Sequence, residues 1–177
     1  FKAAPIQISW LGYSGTTGIR EIDYILCDKI SIPKDEEKWF VEKPLRMSKS
    51  YYNFSKPQEN DILIEDKKCS NNIVFGCFNN PKKINNNVIS LWSDILKNIP
   101  SSKLILKYKY YKDINIKENI IKIFLKYNIN KNRISFLSAS QREDYLKDFN
   151  KIDISLDPFP YPGGTTTCES LYMGVPV

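Results

Sequence analysis

The feature that most constrains the fold of this chain is the alternation of two hydrophobic periodicities from residue 72 onward. Short apolar runs rich in strand-forming residues are each followed by an amphipathic segment with helical spacing. The predicted strands lie at 72–78, 103–108, 133–137 and 152–156, and the predicted helices at 85–100, 116–129, 141–149 and 166–174. This alternation predicts an α/β domain with a parallel sheet and helices on both faces. The last residues, 175–177, are predicted to begin a further strand.

The first seventy residues have a different pattern. Strands are predicted at 5–11 and 22–28, with the glycine-rich turn GYSGTTG between them. The following segment is polar and interrupted by prolines, which predicts a connector between two lobes. We therefore divide the chain into 1–30, a connector at 31–71, and a second lobe at 72–177. Because the sequence starts at Phe1 and stops where a strand begins, we expect a fragment of a longer protein.

Composition narrows the classes of function. The 177 residues carry a net charge of +6 but no basic–aromatic cluster and no zinc-finger, homeodomain or RNA-recognition signature, so no nucleic-acid partner is expected. There is no histidine, and none of the four cysteines forms a Cys-x-x-Cys pair, which predicts no metal site. No signal peptide or membrane span is expected. Free, mostly buried thiols suit a reducing compartment, so we expect a cytoplasmic location.

In a parallel α/β sheet, ligands bind beyond the carboxyl ends of the strands. One of the loops there is DPFPYPGGTTT. Gly163 and Gly164 leave the backbone open to close approach, and Thr165–Thr167 fall in the first turn of the predicted helix, where N–H groups are unpaired. This arrangement predicts a cradle for a pyrophosphate, and the alternative is a tight turn with an ordinary threonine cap. Glu169, about one turn further, is either a ribose acceptor or a charge that favours the helix.

Two further loops reach the same predicted edge. In FNNPKKI, Lys82 and Lys83 precede a helix, and their ammonium groups either neutralise a diphosphate or are solvated surface charges. In SASQRED, small residues precede Arg142, and Tyr145 lies one turn on. Small residues permit a flat base to approach, and an aromatic ring can stack on it.

Three motifs occur in one order: APIQISWLGYSGTTG, FGCFNNPKKI and DISLDPFPYPGGTTTCESLYMGVPV. Together they closely resemble the catalytic region of the protein O-GlcNAc transferase and SPINDLY family, glycosyltransferase family 41, over nearly the whole chain. The ending CESLYMGVP is more similar to the SPINDLY and bacterial branch than to the animal enzymes. The resemblance implies a GT-B glycosyltransferase. Residues 72–177 would form a Rossmann-like, donor-binding C-terminal lobe and 1–30 the end of the N-terminal lobe, with tetratricopeptide repeats upstream.

The resemblance also assigns residues. Lys83 matches the lysine that contacts the donor diphosphate and stabilises the leaving group, so it is the candidate catalytic residue. The implied donor-binding set is Asn80, Arg142, Tyr145, Gly163, Gly164, Thr165, Thr166, Thr167 and Glu169. The implied sugar pocket contains Leu11, Gly12, Ser14 and Tyr161.

Four positions depart from the animal O-GlcNAc transferases. Gly164 and Tyr145 stand where those enzymes have histidines, the second of which stacks on uracil. Asp148 replaces an arginine of the uridine site, and Ser14 replaces a proline near the N-acetyl pocket. These departures leave the donor base and sugar open, since SPINDLY-type plant enzymes use GDP-fucose. The histidine of the family near the reacting sugar is expected upstream of Phe1, so no general base is assigned.

The resulting prediction is an inverting transferase that moves a sugar, GlcNAc first, from a nucleotide sugar to serine or threonine of acceptor proteins, without a metal or other cofactor. Alternatives are transfer of fucose from GDP-fucose, transfer of glucose to asparagine, or a module that binds nucleotide sugars without turnover. A dinucleotide-dependent oxidoreductase is disfavoured because no Gly-x-Gly-x-x-Gly follows the predicted strands.

Overall fold

The computed structural model describes residues 2–57, 64 and 72–177. The chain divides into two compact units, Phe1–Ser55 and Lys56–Val177. Most of the second half of the predicted connector, 58–63 and 65–71, lies outside the described residues, and Cys69 lies there too.

The first unit is a small parallel sheet in the order β1-β2-β3, formed by Ile8–Ser9, Tyr24–Cys27 and Lys43–Arg46. Its buried apolar side chains are few: Ile25, Cys27 and Ile32. Strand β3 lies inside the range that the sequence assigned to a connector, so that assignment is corrected for this stretch. The strand contains Pro44, which lacks a backbone donor, and an edge strand tolerates such a residue.

The second unit confirms the predicted alternation of strands and helices. The strands are β4 (Val74–Cys77), β5 (Lys103–Lys107), β6 (Ile134–Leu137) and β7 (Ile154–Ser155), and the helices are α1 (Asn86–Asn98), α2 (Ile114–Lys126), α3 (Arg142–Lys147) and α4 (Thr165–Tyr172). All strand pairs are parallel, in the order β6-β5-β4-β7. The predicted α/β fold class with parallel sheets is therefore correct.

Helices cover both faces of this sheet, as two separate apolar clusters show. Along β5, Leu104 and Leu106 belong to one cluster, whereas Ile105 packs against the other, as expected for alternating side chains of a strand. The first cluster also contains Val88, Ile89, Trp92 and Leu96 of α1 and Ile120 and Phe124 of α2. The second contains Phe78, Leu146, Phe149, Ile152, Met173 and Val175, which lie on or beside β4, α3, β7 and α4.

The strand order changes direction between β4 and β7. The chain runs outward from β4 through β5 to β6 and then returns past β4 to form β7. The loops that follow β4 and β7 therefore leave neighbouring strands on opposite sides of a topological switch point, where α/β folds place their ligands.

The last predicted strand is not formed. Residues 175–177 have no strand geometry, although the carbonyl of Pro176 accepts a hydrogen bond from the backbone N–H of Ser155 at 2.8 Å. The predicted role of Gly174 at the end of α4 agrees with its φ of +74°, which favours glycine.

Candidate functional site

The loops that follow β4 and β7 meet through Lys83. Its Nζ donates to the carbonyl oxygen of Pro162 at 2.8 Å, across 79 residues of sequence, and to Oδ1 of Asn79 at 3.3 Å. The ammonium also lies 4.5 Å from the centre of the Tyr161 ring. The sequence predicts that Lys83 and the loop at 157–167, which we call the glycine–threonine loop, lie at one sheet edge. In the structure they are in direct contact.

Burial lowers the pKa of Lys83, and the negative charge of Asp157 opposes that shift. The neighbouring Lys82 is exposed, and its backbone N–H is capped by the side chain of Asn80 at 3.1 Å. Asn80, a predicted diphosphate contact, therefore also caps the short helical turn Pro81–Lys83, which carries the lysine.

Two side chains that the sequence analysis did not identify, the carboxylate of Asp157 and the amide of Asn79, connect these two loops through hydrogen bonds. Oδ1 of Asp157 accepts from the backbone N–H of Gly163 at 2.8 Å and from Nδ2 of Asn79 at 3.1 Å. Asn79 is buried, and its side-chain oxygen Oδ1 accepts a hydrogen bond from Nζ of Lys83. Each of the two residues lies just beyond a strand that flanks the switch point, and this position is the signal that could have identified them.

The glycine–threonine loop leads into α4 without a side-chain cap. Gly164 is the N-cap residue, with φ −117°, and no side chain caps the helix. The alternative of an ordinary threonine cap is therefore not what the structure has. Because no side chain caps the first turn, its N–H groups and the positive end of the helix dipole remain suited to an anion.

Gly163 is tightly enclosed by neighbouring side chains. A Cβ on Gly163 would overlap the hydroxyl of Thr167 and lie 2.9 Å from Oδ1 of Asp157. Among the described residues, the buried Oγ1 of Thr167 has no hydrogen-bond partner. Thr167 also helps to line a small cavity together with Asn79, Asp157, Thr166 and Ser170. A buried hydroxyl without a partner is uncommon in a folded protein and calls for an explanation.

A second cluster joins α3 to α4 at Glu169. This carboxylate is buried; Nη1 of Arg142 lies 2.5 Å from Oε1, and the hydroxyl of Tyr145 donates to Oε2 at 2.8 Å. Burial raises the pKa of Tyr145, and the charge of Glu169 raises it further, so the phenol stays a donor. The residues predicted to bind the nucleoside are thus brought together. The Tyr145 ring also packs against Phe78 and Phe149.

The remaining predicted residues lie in the first unit. Leu11, Gly12 and Ser14 are exposed, and Leu11 has a φ of +62°. A bulky residue in this left-handed region is a backbone outlier. Asp148, which replaces a family arginine, is instead buried and paired with Lys107 and Lys151.

Within residues 2–57, 64 and 72–177, no group of three or more metal-ligating side chains comes together. Over the same residues, none of the helices has both the length and the apolar character needed to span a bilayer.

A parallel sheet with a lysine and an uncapped helix N-terminus at its switch point defines the class of nucleotide-binding α/β folds. The chain belongs to glycosyltransferase family 41, whose model matches residues 1–59 and 65–177. It is similar to a solved mutant of the O-GlcNAc transferase of Thermobaculum terrenum, with a TM-score of 0.90 and 33% identity over 98% of this chain and 33% of the other. This match confirms the GT-B fold.

Curated relatives agree with the family. A protein of Oryza sativa subsp. japonica named probable UDP-N-acetylglucosamine–peptide N-acetylglucosaminyltransferase SPINDLY is 36% identical over 99% of this chain. The corresponding SEC protein of Arabidopsis thaliana is 26% identical over 99% of the chain. The match spans 19% of each of these two relatives.

Proposed function

We propose that this chain is the donor-binding part of an inverting glycosyltransferase that moves a sugar from a nucleoside diphosphate sugar to serine or threonine of acceptor proteins. The names of the relatives specify UDP-N-acetylglucosamine and a peptide, which makes GlcNAc the first candidate for the sugar. The observation that carries the proposal is the contact of Lys83 with the loop before the uncapped start of α4.

Separate groups of residues bind the diphosphate, the nucleoside and the sugar of the donor. The diphosphate lies at the start of α4, where Thr167 offers a hydroxyl and Lys83 supplies positive charge. The nucleoside lies along Glu169 and the two side chains that contact it. The sugar extends from the diphosphate past Tyr161, whose ring lies beside the Lys83 ammonium.

In the transfer, the acceptor hydroxyl attacks the anomeric carbon while the bond from that carbon to the β-phosphate oxygen breaks, which inverts the configuration. The acceptor proton passes to a general base, for which we propose no residue of this chain. The departing diphosphate gains negative charge, and Lys83 and the N–H groups of α4 are already placed to stabilise it. Because these groups offset the charge that a metal offsets in other transferases, we propose a metal-independent reaction.

A second candidate is transfer of fucose from GDP-fucose. It is favoured by the higher identity to SPINDLY proteins, 36% against 26% for the SEC protein. Tyr145 and Gly164, which replace two family histidines, allow a base other than uracil. Incubating the full-length protein with acceptor proteins and a panel of UDP and GDP sugars separates the two candidates. Tight nucleotide binding without transfer to any acceptor indicates a binding module, and absence of nucleotide binding contradicts the proposal.

Replacing Lys83 with alanine in the full-length enzyme tests its catalytic role. We expect turnover to fall on the order of a hundredfold or more, as when other enzymes lose one donor to a developing anion. The Kd of the donor should change much less, because the charge on the diphosphate grows in the transition state. Lys82→Ala, which removes an exposed ammonium from the adjacent position, is the matched control and should keep near-normal turnover. Equal turnover in the two variants would make Lys83 a surface charge.

A further inference from the structure

One buried ammonium lies outside the contacts described for the donor. Lys107 is the last residue of β5, and its side chain is only 3% exposed. Its Nζ donates to the carbonyl oxygen of Ser138 at 3.1 Å, to Oγ of Ser140 at 2.8 Å and to Oδ2 of Asp148 at 2.5 Å. An ammonium has three hydrogens, so these bonds use its full donor capacity.

The three acceptors bracket one short helix. Ser138 and Ser140 lie in the segment that precedes α3, and Asp148 is the residue that follows it. The helix has 6 residues, and no side chain caps its start at Gln141. A helix this short has little stability of its own, so the positions of its ends depend on tertiary contacts. Lys107 makes such contacts with both flanks of α3.

Apolar packing alone does not fix those ends. Leu146 of α3 and Phe149 after it are fully buried and hold this part of the chain on the sheet. Hydrophobic packing is non-directional, whereas hydrogen bonds from one buried ammonium specify distances and angles. Burial raises the pKa of Asp148, but hydrogen bonds from Lys107 and Lys151 outweigh that effect and lower the pKa, which favours the ionised carboxylate.

We propose that Lys107 is a positioning residue that sets the affinity for the nucleoside half of the donor by fixing both ends of α3. Through α3 it places Arg142 and Tyr145 against Glu169 in α4. This inference rests on the proposed function, in which those three side chains bind the nucleoside. Lys107 itself does not contact the donor, because its side chain is buried and its hydrogens are engaged. A lysine in this position also differs from an apolar residue of similar volume, which would fill the space without specifying an orientation.

The test compares ligands with and without a nucleoside. Titration calorimetry on the full-length protein measures the Kd of UDP, of GDP and of inorganic pyrophosphate. For Lys107→Met, we expect the Kd of whichever nucleoside diphosphate binds the wild type to rise by about tenfold or more, since small displacements of a binding group weaken it strongly. The Kd of pyrophosphate should stay within about twofold, because the start of α4 is not altered. Lys103→Met removes an exposed ammonium from the other end of β5 and should change neither value.

A second variant keeps the test valid if Lys107→Met does not fold. Ser140→Ala changes an exposed residue and removes one of the three hydrogen bonds that Lys107 donates. We expect the Kd of the nucleoside diphosphate to rise about threefold and the Kd of pyrophosphate to stay unchanged. Equal losses for both ligands, or an unchanged ratio of the two Kd values in whichever variant folds, would overturn the positioning role. A wild type that binds no nucleoside diphosphate would overturn the proposed function instead.

Discussion

Two loops of this chain are rich in glycine and threonine, but the hydroxyl groups of their threonines have different surroundings. The loop GYSGTTG lies in the first unit, and the loop PGGTTT lies in the second. In the first, the hydroxyl of Thr16 donates to Oε2 of the buried Glu42 at 2.6 Å, and the hydroxyl and backbone N–H of Thr17 donate to Oε1. In the second, the buried hydroxyl of Thr167 has no such partner among the described residues.

The difference separates a threonine whose hydroxyl is bonded within the protein from one whose hydroxyl we propose binds a ligand. Glu42 provides a negative charge inside the protein, so the donors of the first loop are satisfied without any bound molecule. In the second loop, Asp157 satisfies the N–H of Gly163, and Gly164, the N-cap residue of α4, has no side chain to cap the helix. A diphosphate would supply for Thr167 the negative oxygens that Glu42 supplies for Thr17.

The largest expected effect concerns the charge beside the second loop. The pKa of Lys83 lies below its ordinary value of 10.5, so its ammonium is lost at a lower pH than that of an ordinary lysine. We expect kcat/KM of the full-length enzyme to fall on the alkaline side toward the value of Lys83→Ala, on the order of a hundredfold lower.

The matched variant is Lys83→Arg, because a guanidinium keeps its charge at every accessible pH. Its activity is expected to be lower than wild type at neutral pH but free of the alkaline decline. A decline of the same shape in both proteins would assign the titration to another group.

The next effect comes from the glycines of the two loops. Gly163→Ala places a methyl group against the Thr167 hydroxyl and the Asp157 carboxylate, whereas a Cβ on Gly12 meets nothing within 4 Å. We expect Gly163→Ala to weaken pyrophosphate binding by more than about tenfold and to destabilise the fold by about 1–3 kcal/mol through overpacking. Gly12→Ala should leave pyrophosphate binding and thermal stability near wild type. Normal pyrophosphate affinity in a folded Gly163→Ala protein would show that this loop only turns the chain.

A smaller effect is expected at the carboxylate of the first loop. Glu42→Gln replaces one of the two accepting oxygens with a donor, which should cost about 1–3 kcal/mol locally. Hydrogen–deuterium exchange should show faster exchange in residues 8–46, with pyrophosphate affinity unchanged. The exposed Glu36, substituted with Gln, serves as the control. Protection equal to wild type would mean that Glu42 does not hold the loop.

The fold of the second unit could be predicted from the sequence because its strands are buried and its helices are amphipathic, so the periodicity is clear. Strand β3 could not, since it is an edge strand with Pro44 and with alternate residues exposed. The terminal residues gain one ladder hydrogen bond, from Ser155 to Pro176, which is too little for a strand.

The candidate site was predictable only in part. Lys83 and the glycine–threonine loop could be placed at one edge because parallel strands align their carboxyl ends. Asn79 and Asp157 could have been singled out by their positions beyond β4 and β7, but their hydrogen bond, between residues 78 apart in sequence, could not have been predicted. Nor could the burial of Asp148 beside Lys107, which is a contact across 41 residues.

We propose that the hydroxyl of Thr167 binds a phosphate, whereas the hydroxyl of Thr17 stabilises the first loop through its hydrogen bond to Glu42. Exchanging each threonine for valine, which has the same shape without the hydroxyl, tests both halves with one pair of variants. In the full-length protein we measure the melting temperature and the calorimetric Kd of pyrophosphate. Thr17→Val should lower the melting temperature and leave the Kd unchanged, because it takes a donor from a buried carboxylate. Thr167→Val should keep the melting temperature and raise the Kd about threefold to tenfold, the value of one hydrogen bond. A Thr167→Val protein that melts lower yet binds pyrophosphate as well as wild type would contradict the account.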